Sequence, residues 1–100
     1  MLSFIHQNYY KSISLQDIAE SGNMSIAQCY RYFKMSPYDY LIHYRLLKSI
    51  DYLLDSTFNI TEISEKVSFQ NVNHYIQTFK KAYTLSPKKY QKEHRKRNLQ

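Results

Sequence analysis

The feature that most constrains the fold of this chain is that its second half repeats its first. Asp17-Ile18-Ala19 is matched by Glu62-Ile63-Ser64, and Ser25 by Asn71. Cys29 and Phe33 are matched by Tyr75 and Phe79, with Phe33-Lys34 echoed by Phe79-Lys80. Ser36-Pro37-Tyr38-Asp39-Tyr40 is matched by Ser86-Pro87-Lys88-Lys89-Tyr90. A chain that says the same thing twice is expected to fold into two similar pieces, each stabilised by the same local signals.

Those signals are helical. Ser14 and Asp17 have capping-box spacing, with Asp17 in place of the usual Glu, and so do Asn59 and Glu62. Ser25 and Asn71 are placed to cap the longer helix of each copy. Between the short and the long helix of the first copy lie Gly22 and Asn23, both tolerant of the left-handed conformation a tight turn needs. Pro37 and Pro87 follow a serine, at a helix start where the missing N–H costs little. Leu2, Ile5 and Tyr9 predict a short amphipathic helix at the N-terminus. Tyr40, Leu41, Tyr44, Leu47, Ile50 and Leu54 keep helical spacing between the copies, and Val72, Tyr75, Thr78, Phe79 and Ala82 keep it in the second. The expected fold is all-α with about seven helices: a first helix-turn-helix subdomain over 1–36, a long linker helix over 37–56, and a second subdomain over 57–100 ending in a basic tail that frays from Lys92 onward.

The small residue at Ala19, or Ser64 in the second copy, lets the two helices of each motif approach closely, and Ile18, Cys29 and Phe33 supply their shared core. The opposite face of the longer helix is left free. In a DNA binder that face enters the major groove, helix N-terminus first. A helix from Pro37 to about Asp55 is roughly 28 Å long at 1.5 Å per residue. Successive major-groove segments on one face of DNA are about 34 Å apart, which is compatible.

Composition narrows the function. The formal charge of +6 suits a polyanionic partner or an anionic membrane surface. The single glycine excludes a glycine-rich phosphate loop, and the single cysteine excludes an internal disulfide framework. Cys29 falls where a small buried apolar residue is wanted. No apolar run is long enough to span a bilayer, and no signal-peptide pattern is present. His6, His43, His74 and His94 lack metal-ligand spacing, and no nucleophile, base and orienting group come together in the sequence. Neither a metal nor another cofactor, nor enzymatic activity, nor a membrane partner is therefore expected. The eleven tyrosines could stack on single-stranded bases, but most, including Tyr40, Tyr44 and Tyr75, fall on apolar helix faces that suit core packing.

Taken together, these residues resemble the DNA-binding domain of the AraC/XylS family of bacterial transcription regulators over about residues 1–92. The run from Ile60 to Phe69 is similar to the family's I-x-E-I-A-x-x-V-G-F. Asn71 through Lys81 is similar to D-x-S-Y-F-x-R-x-F-K-K, Ser86 to Tyr90 to S/T-P-x-x-Y, and Arg45-Leu46 to the R-L of the family's linker helix. Ser68 and Thr84 stand where the family has glycine, Gln91 where it has a closing arginine, and Gln77 where arginine is frequent. The first copy is also shorter. Three positions separate Phe33 from Ser36 but seven separate Phe79 from Ser86, so the third helix is expected to end about one turn early and the linker helix to be re-aimed.

The resemblance implies a homeodomain-like fold, double-stranded DNA as partner, a cytoplasmic and nucleoid-associated protein, and transcription activation through RNA polymerase. Members usually carry a ligand-sensing or dimerising domain as well, which this stretch does not contain. The first recognition helix offers Ile26, Ala27, Gln28, Tyr30 and Arg31 to bases, and the second Val72, Asn73, Ile76 and Gln77. Arg31 can bond two acceptors on guanine, and Asn73 and Gln77 can read adenine in bidentate fashion. Arg31 could instead bond phosphate or a local carboxylate, and Asn71 and Asn73 could serve only as caps. Ser25, Lys34, Asn71, Lys80 and Lys81 are candidates for phosphate, adding affinity and salt dependence without sequence choice. The basic tail is either a solvated helix face or a further DNA-backbone contact. The competing reading of the whole chain is a helical protein-interaction module that no longer binds DNA.

Overall fold

The structure, a computed structural model, describes residues 2–98, and the side chains of all of these but Phe33 and residues 96–98. The core place assigned to Phe33 and the basic side chains of Lys96 and Arg97 thus lie outside the described residues. Seven helices are found, with no strand among the described residues: α1 (Leu2–Asn8), α2 (Leu15–Ser21), α3 (Ile26–Phe33), α4 (Pro37–Asp55), α5 (Ile60–Lys66), α6 (Val72–Tyr83) and α7 (Pro87–Asn98). Two compact units, Met1–Arg45 and Leu46–Gln100, divide within α4, so one continuous helix contributes to both.

The capping signals act as read. Ser14 Oγ accepts from the Asp17 N–H while the Asp17 carboxylate accepts from the Ser14 N–H. Asn59 and Glu62 do the same for α5. Each box satisfies two backbone donors that the helix start would otherwise leave to water. Pro37 and Pro87 are fully buried at the first positions of α4 and α7.

In the first unit, Ile5, Ile18 and Leu41 are fully buried together, with Phe4, Tyr9, Ile13, Tyr40 and Tyr44 packed around them. His6 stacks on Tyr44 with ring centroids 4.2 Å apart and bonds the Tyr40 hydroxyl at 3.1 Å. In the second unit, Leu53, Ile63, Val67, Tyr75 and Phe79 are fully buried, and Phe79 meets the rings of Tyr75, Tyr83 and Tyr90 at 5.8, 4.7 and 5.5 Å. Burial pushes the Tyr75 hydroxyl up to about 12, offset in part by neighbouring Ser49 and reinforced by Tyr83. No hydrogen bond of standard geometry reaches that hydroxyl; the Ser49 hydroxyl donates to the Leu46 carbonyl.

Two expectations are corrected. The inward row of α4 is Leu41, Arg45, Ser49 and Leu53, one residue every four, while Leu47 is 44% exposed. Apolar spacing pointed to Leu47 because two of the buried places are polar. Arg45 sits inside because its Nε and Nη2 donate to the carbonyls of Tyr9 and Lys11, each at 2.9 Å. The tail does not fray at Lys92. Instead α7 continues to Asn98, tied by Gln91 Nε2 donating to the Leu53 carbonyl at 3.0 Å and by Arg95 Nη2 donating to the Ser56 carbonyl.

The turns carry stored strain. Asn23, Lys34, Ser68 and Thr84 have φ of 54°, 57°, 63° and 68°, and none is glycine. In the first turn the left-handed residue is Asn23, while Gly22 stays at φ −106°. Ser68 is its counterpart in the second turn, and Lys34 and Thr84 are counterparts at the ends of α3 and α6. Asn accepts this conformation with little cost, but for β-branched Thr it is unfavourable. Thr84→Gly is expected to stabilise the protein by about 1 kcal/mol, the relief of left-handed strain exceeding the added flexibility of the unfolded chain. Urea denaturation measures this, and an unchanged or lower midpoint would mean that Thr84 is not strained.

Candidate nucleic-acid interface

Each copy positions its longer helix by a cap at one end and a buried residue in the middle. Ser25 Oγ accepts from the Gln28 N–H at 3.2 Å, and Asn71 Oδ1 accepts from the His74 N–H at 2.7 Å. Cys29, fully buried, fixes which side of α3 faces its partner α2, and Tyr75 and Phe79 do so for α6. A residue two positions beyond Cys29 or Tyr75 is about 200° around the helix and must face away. Those residues are Arg31 and Gln77, equivalent in the repeat and both exposed.

The first copy presents all of its proposed readers. Ala27, Gln28 and Arg31 are exposed, with Ile26 at 38% and Tyr30 at 46%. Gln28 has a second duty, because its Oε1 accepts from the Ser25 N–H at 2.9 Å and closes a capping box. Its amide NH₂ is the part left to face a base.

The second copy differs. Asn73 and Gln77 are exposed, but Val72 and Ile76 are half-buried and, with Ile60, Thr61, Ser86, Pro87 and Lys88, line a cavity of about 320 Å³. The structure therefore separates the four candidates of α6 into two outward polar residues and two apolar residues on its flank. Sequence spacing had not distinguished them, since Ile26 and Tyr30, their counterparts in α3, remain exposed. His74 is half-buried with its ring 5.3 Å from that of Phe69, an edge-packing role.

The candidate phosphate residues are also placed differently. Lys80 and Lys81 lie exposed within the last turns of α6, whereas Lys34 is the left-handed residue that ends α3. α3 has eight residues and α6 twelve, so the early end expected from the shortened first copy is found. Ser25 and Asn71 remain exposed at the helix starts despite their capping roles. The acidic residues Asp17 and Glu62 are turned to capping and lie on α2 and α5, off the two recognition helices. No helix of the described residues is long and apolar enough to cross a membrane.

Two short capped helices, each followed across a tight turn by a longer capped helix with a free outer face, define a double helix-turn-helix protein. A family model described as a helix-turn-helix domain matches residues 14–93. The uncharacterized HTH-type transcriptional regulator YdeC of Bacillus subtilis is 38% identical over 96 residues, covering 92% of this chain and 33% of that protein. The C-terminal domain of the two-component response regulator yesN of Fusobacterium nucleatum has a TM-score of 0.81 at 29% identity, over 90% of this chain and 92% of that one. The DNA-binding domain of AdpA, a global transcriptional factor solved in complex with a target DNA, has a TM-score of 0.90 at 18% identity, over 99% of this chain and 93% of that one, a likeness of fold. The chain belongs to the AraC-type helix-turn-helix family of DNA-binding transcriptional regulators. It spans about one third of the length of the curated relatives it matches.

Proposed function

We propose that this chain binds double-stranded DNA with sequence selectivity, as the DNA-reading part of a bacterial transcription regulator, through the outer faces of α3 and α6. The observation that carries this reading is the exposed, repeat-equivalent pair Arg31 and Gln77, each held opposite a buried residue on a capped helix. In this reading Arg31 bonds the two major-groove acceptors of a guanine, and Gln77 and Asn73 address adenine. Ala27, Gln28, Tyr30 and Ile26 line the first reading face, and Ile76 and Val72 touch thymine methyls from the flank of the second. Ser25 and Asn71 offer helix starts to phosphate, and Lys34, Lys80 and Lys81 neutralise it. The regulatory sense is activation through RNA polymerase, acting at the nucleoid in the cytoplasm, as the family resemblance implies. A reporter driven by the bound site checks this, and repression on expression of the regulator would overturn activation.

Arg31→Ala is expected to weaken binding to a selected site by about 1–3 kcal/mol and to relax preference at one base position. Competition titrations against single-base variants of the site measure both. Equal weakening on every sequence would make Arg31 a phosphate contact instead.

One observation favours the second reading, a protein-interaction module. Tyr30, Tyr32, Met35 and Tyr38 are large apolar side chains left exposed around the end of α3 and the start of α4. Loss of partner binding on Tyr32→Ser, with duplex binding absent in the parent, would favour that reading.

A further inference from the structure

The guanidinium of Arg95 belongs to the second copy in the way that Arg45 belongs to the first. Arg45 stands eight residues after Pro37, and Arg95 eight residues after Pro87. Arg45 Nη2 donates to the carbonyl of Lys11, four residues before α2 begins at Leu15. Arg95 Nη2 donates to the carbonyl of Ser56, four residues before α5 begins at Ile60. The two bonds thus join equivalent places in the repeat: the matched Ser-Pro starts align the donors, while the acceptors are backbone atoms that no side-chain pattern marks.

The Ser56 end of this bond is a junction. Its Oγ donates to the Tyr52 carbonyl at 2.6 Å and accepts from the Phe58 N–H at 3.3 Å, so it shapes the turn that leads into Asn59, the cap of α5. One turn earlier on α7, Gln91 donates to the Leu53 carbonyl. Arg45 alone takes two carbonyls in the first unit, through Nε and Nη2; in the second unit Gln91 and Arg95 divide that work. A cation is well suited there, because the last carbonyls of a helix lack partners and carry partial negative charge.

We propose that Arg95 is a positioning residue rather than a DNA contact: it locks α7 to the turn before α5 and thereby holds the second helix-turn-helix in its reading geometry. The positioning half of this inference rests on the DNA-binding reading above; the lock itself does not. It also assigns one cation of the basic C-terminal segment to the fold rather than to a polyanion.

The test uses the full chain with Arg95→Ala, Arg95→Lys and Arg95→Ala/Gln91→Arg, measured by thermal unfolding and by binding to a mixed-sequence duplex over a salt series. Arg95→Ala is expected to lower Tm by roughly 5–10 °C. Its salt slope should equal that of the parent, because no phosphate contact is lost. Arg95→Lys keeps the charge but not the planar fork, and should fall between Ala and parent in Tm. The double variant, with a guanidinium one turn earlier beside the Leu53 carbonyl, should recover part of the lost Tm. A phosphate role gives the opposite set: Tm unchanged in Arg95→Ala and Arg95→Lys, and a salt slope reduced by about 0.9 in Arg95→Ala. If Arg95→Ala does not fold, Arg95→Met, which keeps the aliphatic stem and removes the donor, takes its place, and a parental Tm with a reduced salt slope overturns the proposal. If the parent chain binds no duplex, the DNA reading fails, and the Tm arm still decides whether Arg95 is a lock.

Discussion

Phe79→Ala is expected to destabilise the protein by about 4 kcal/mol, the largest effect of any single change considered. The side chain is fully buried, and three aromatic rings close around it: Tyr75 from its own helix, Tyr83 one turn on, and Tyr90 from α7. Truncation removes the transfer energy of a phenyl group and leaves a cavity that rigid rings fill poorly. It also frees the angle of α6 about its axis, so Gln77 and Asn73 lose their fixed direction. Urea denaturation should show a much lower midpoint, and duplex binding should fall with it. A loss below about 1 kcal/mol would mean that the cluster collapses onto the vacancy and that Phe79 does not set the orientation of the helix.

Arg45→Met is expected to cost about 3 kcal/mol. Methionine keeps much of the aliphatic stem but returns nothing to the carbonyls of Tyr9 and Lys11. Arg45 is only 5% exposed, and its burial lowers the pKa of the guanidinium, an effect that nearby Tyr38 opposes. Such a group is tolerated inside because both its donors on that side find backbone partners. Arg45→Lys should recover part of the loss, since an ammonium cannot span both carbonyls as the planar fork does. Denaturation midpoints of the three proteins order the effects. A midpoint for Arg45→Met equal to that of the parent would show that the two bonds contribute nothing net.

Much of the architecture was legible because it is local. Capping boxes, Ser-Pro starts and a turn lie within a few residues of each other, so Ser14, Asn59, Pro37 and Pro87 announce their helices without help from tertiary structure. The four-residue difference between α3 and α6 was also visible, because it follows from counting between matched residues. What was not legible depends on distant partners. Apolar spacing marked Leu47 as inward, but the inward row of α4 contains Arg45 and Ser49, admitted by carbonyls that periodicity does not register. The extent of α7 was hidden for the same reason, as Gln91 and Arg95 bond backbone atoms far off in the sequence. In the candidate interface, the family resemblance offered Arg31 and Gln77 as outward, and both are exposed. It could not show that Val72 and Ile76 would share a cavity with the starts of α5 and α7 while Ile26 and Tyr30 stayed exposed.

The central claim is tested most directly by selecting from a pool of random double-stranded DNA at two salt concentrations and sequencing what the chain retains. Selective reading by both copies predicts an enriched motif with two elements about one helical turn apart, weakening at the higher salt. A single short element would restrict reading to one copy. Retention without any enriched sequence would leave only non-specific electrostatic attraction, and would contradict the account.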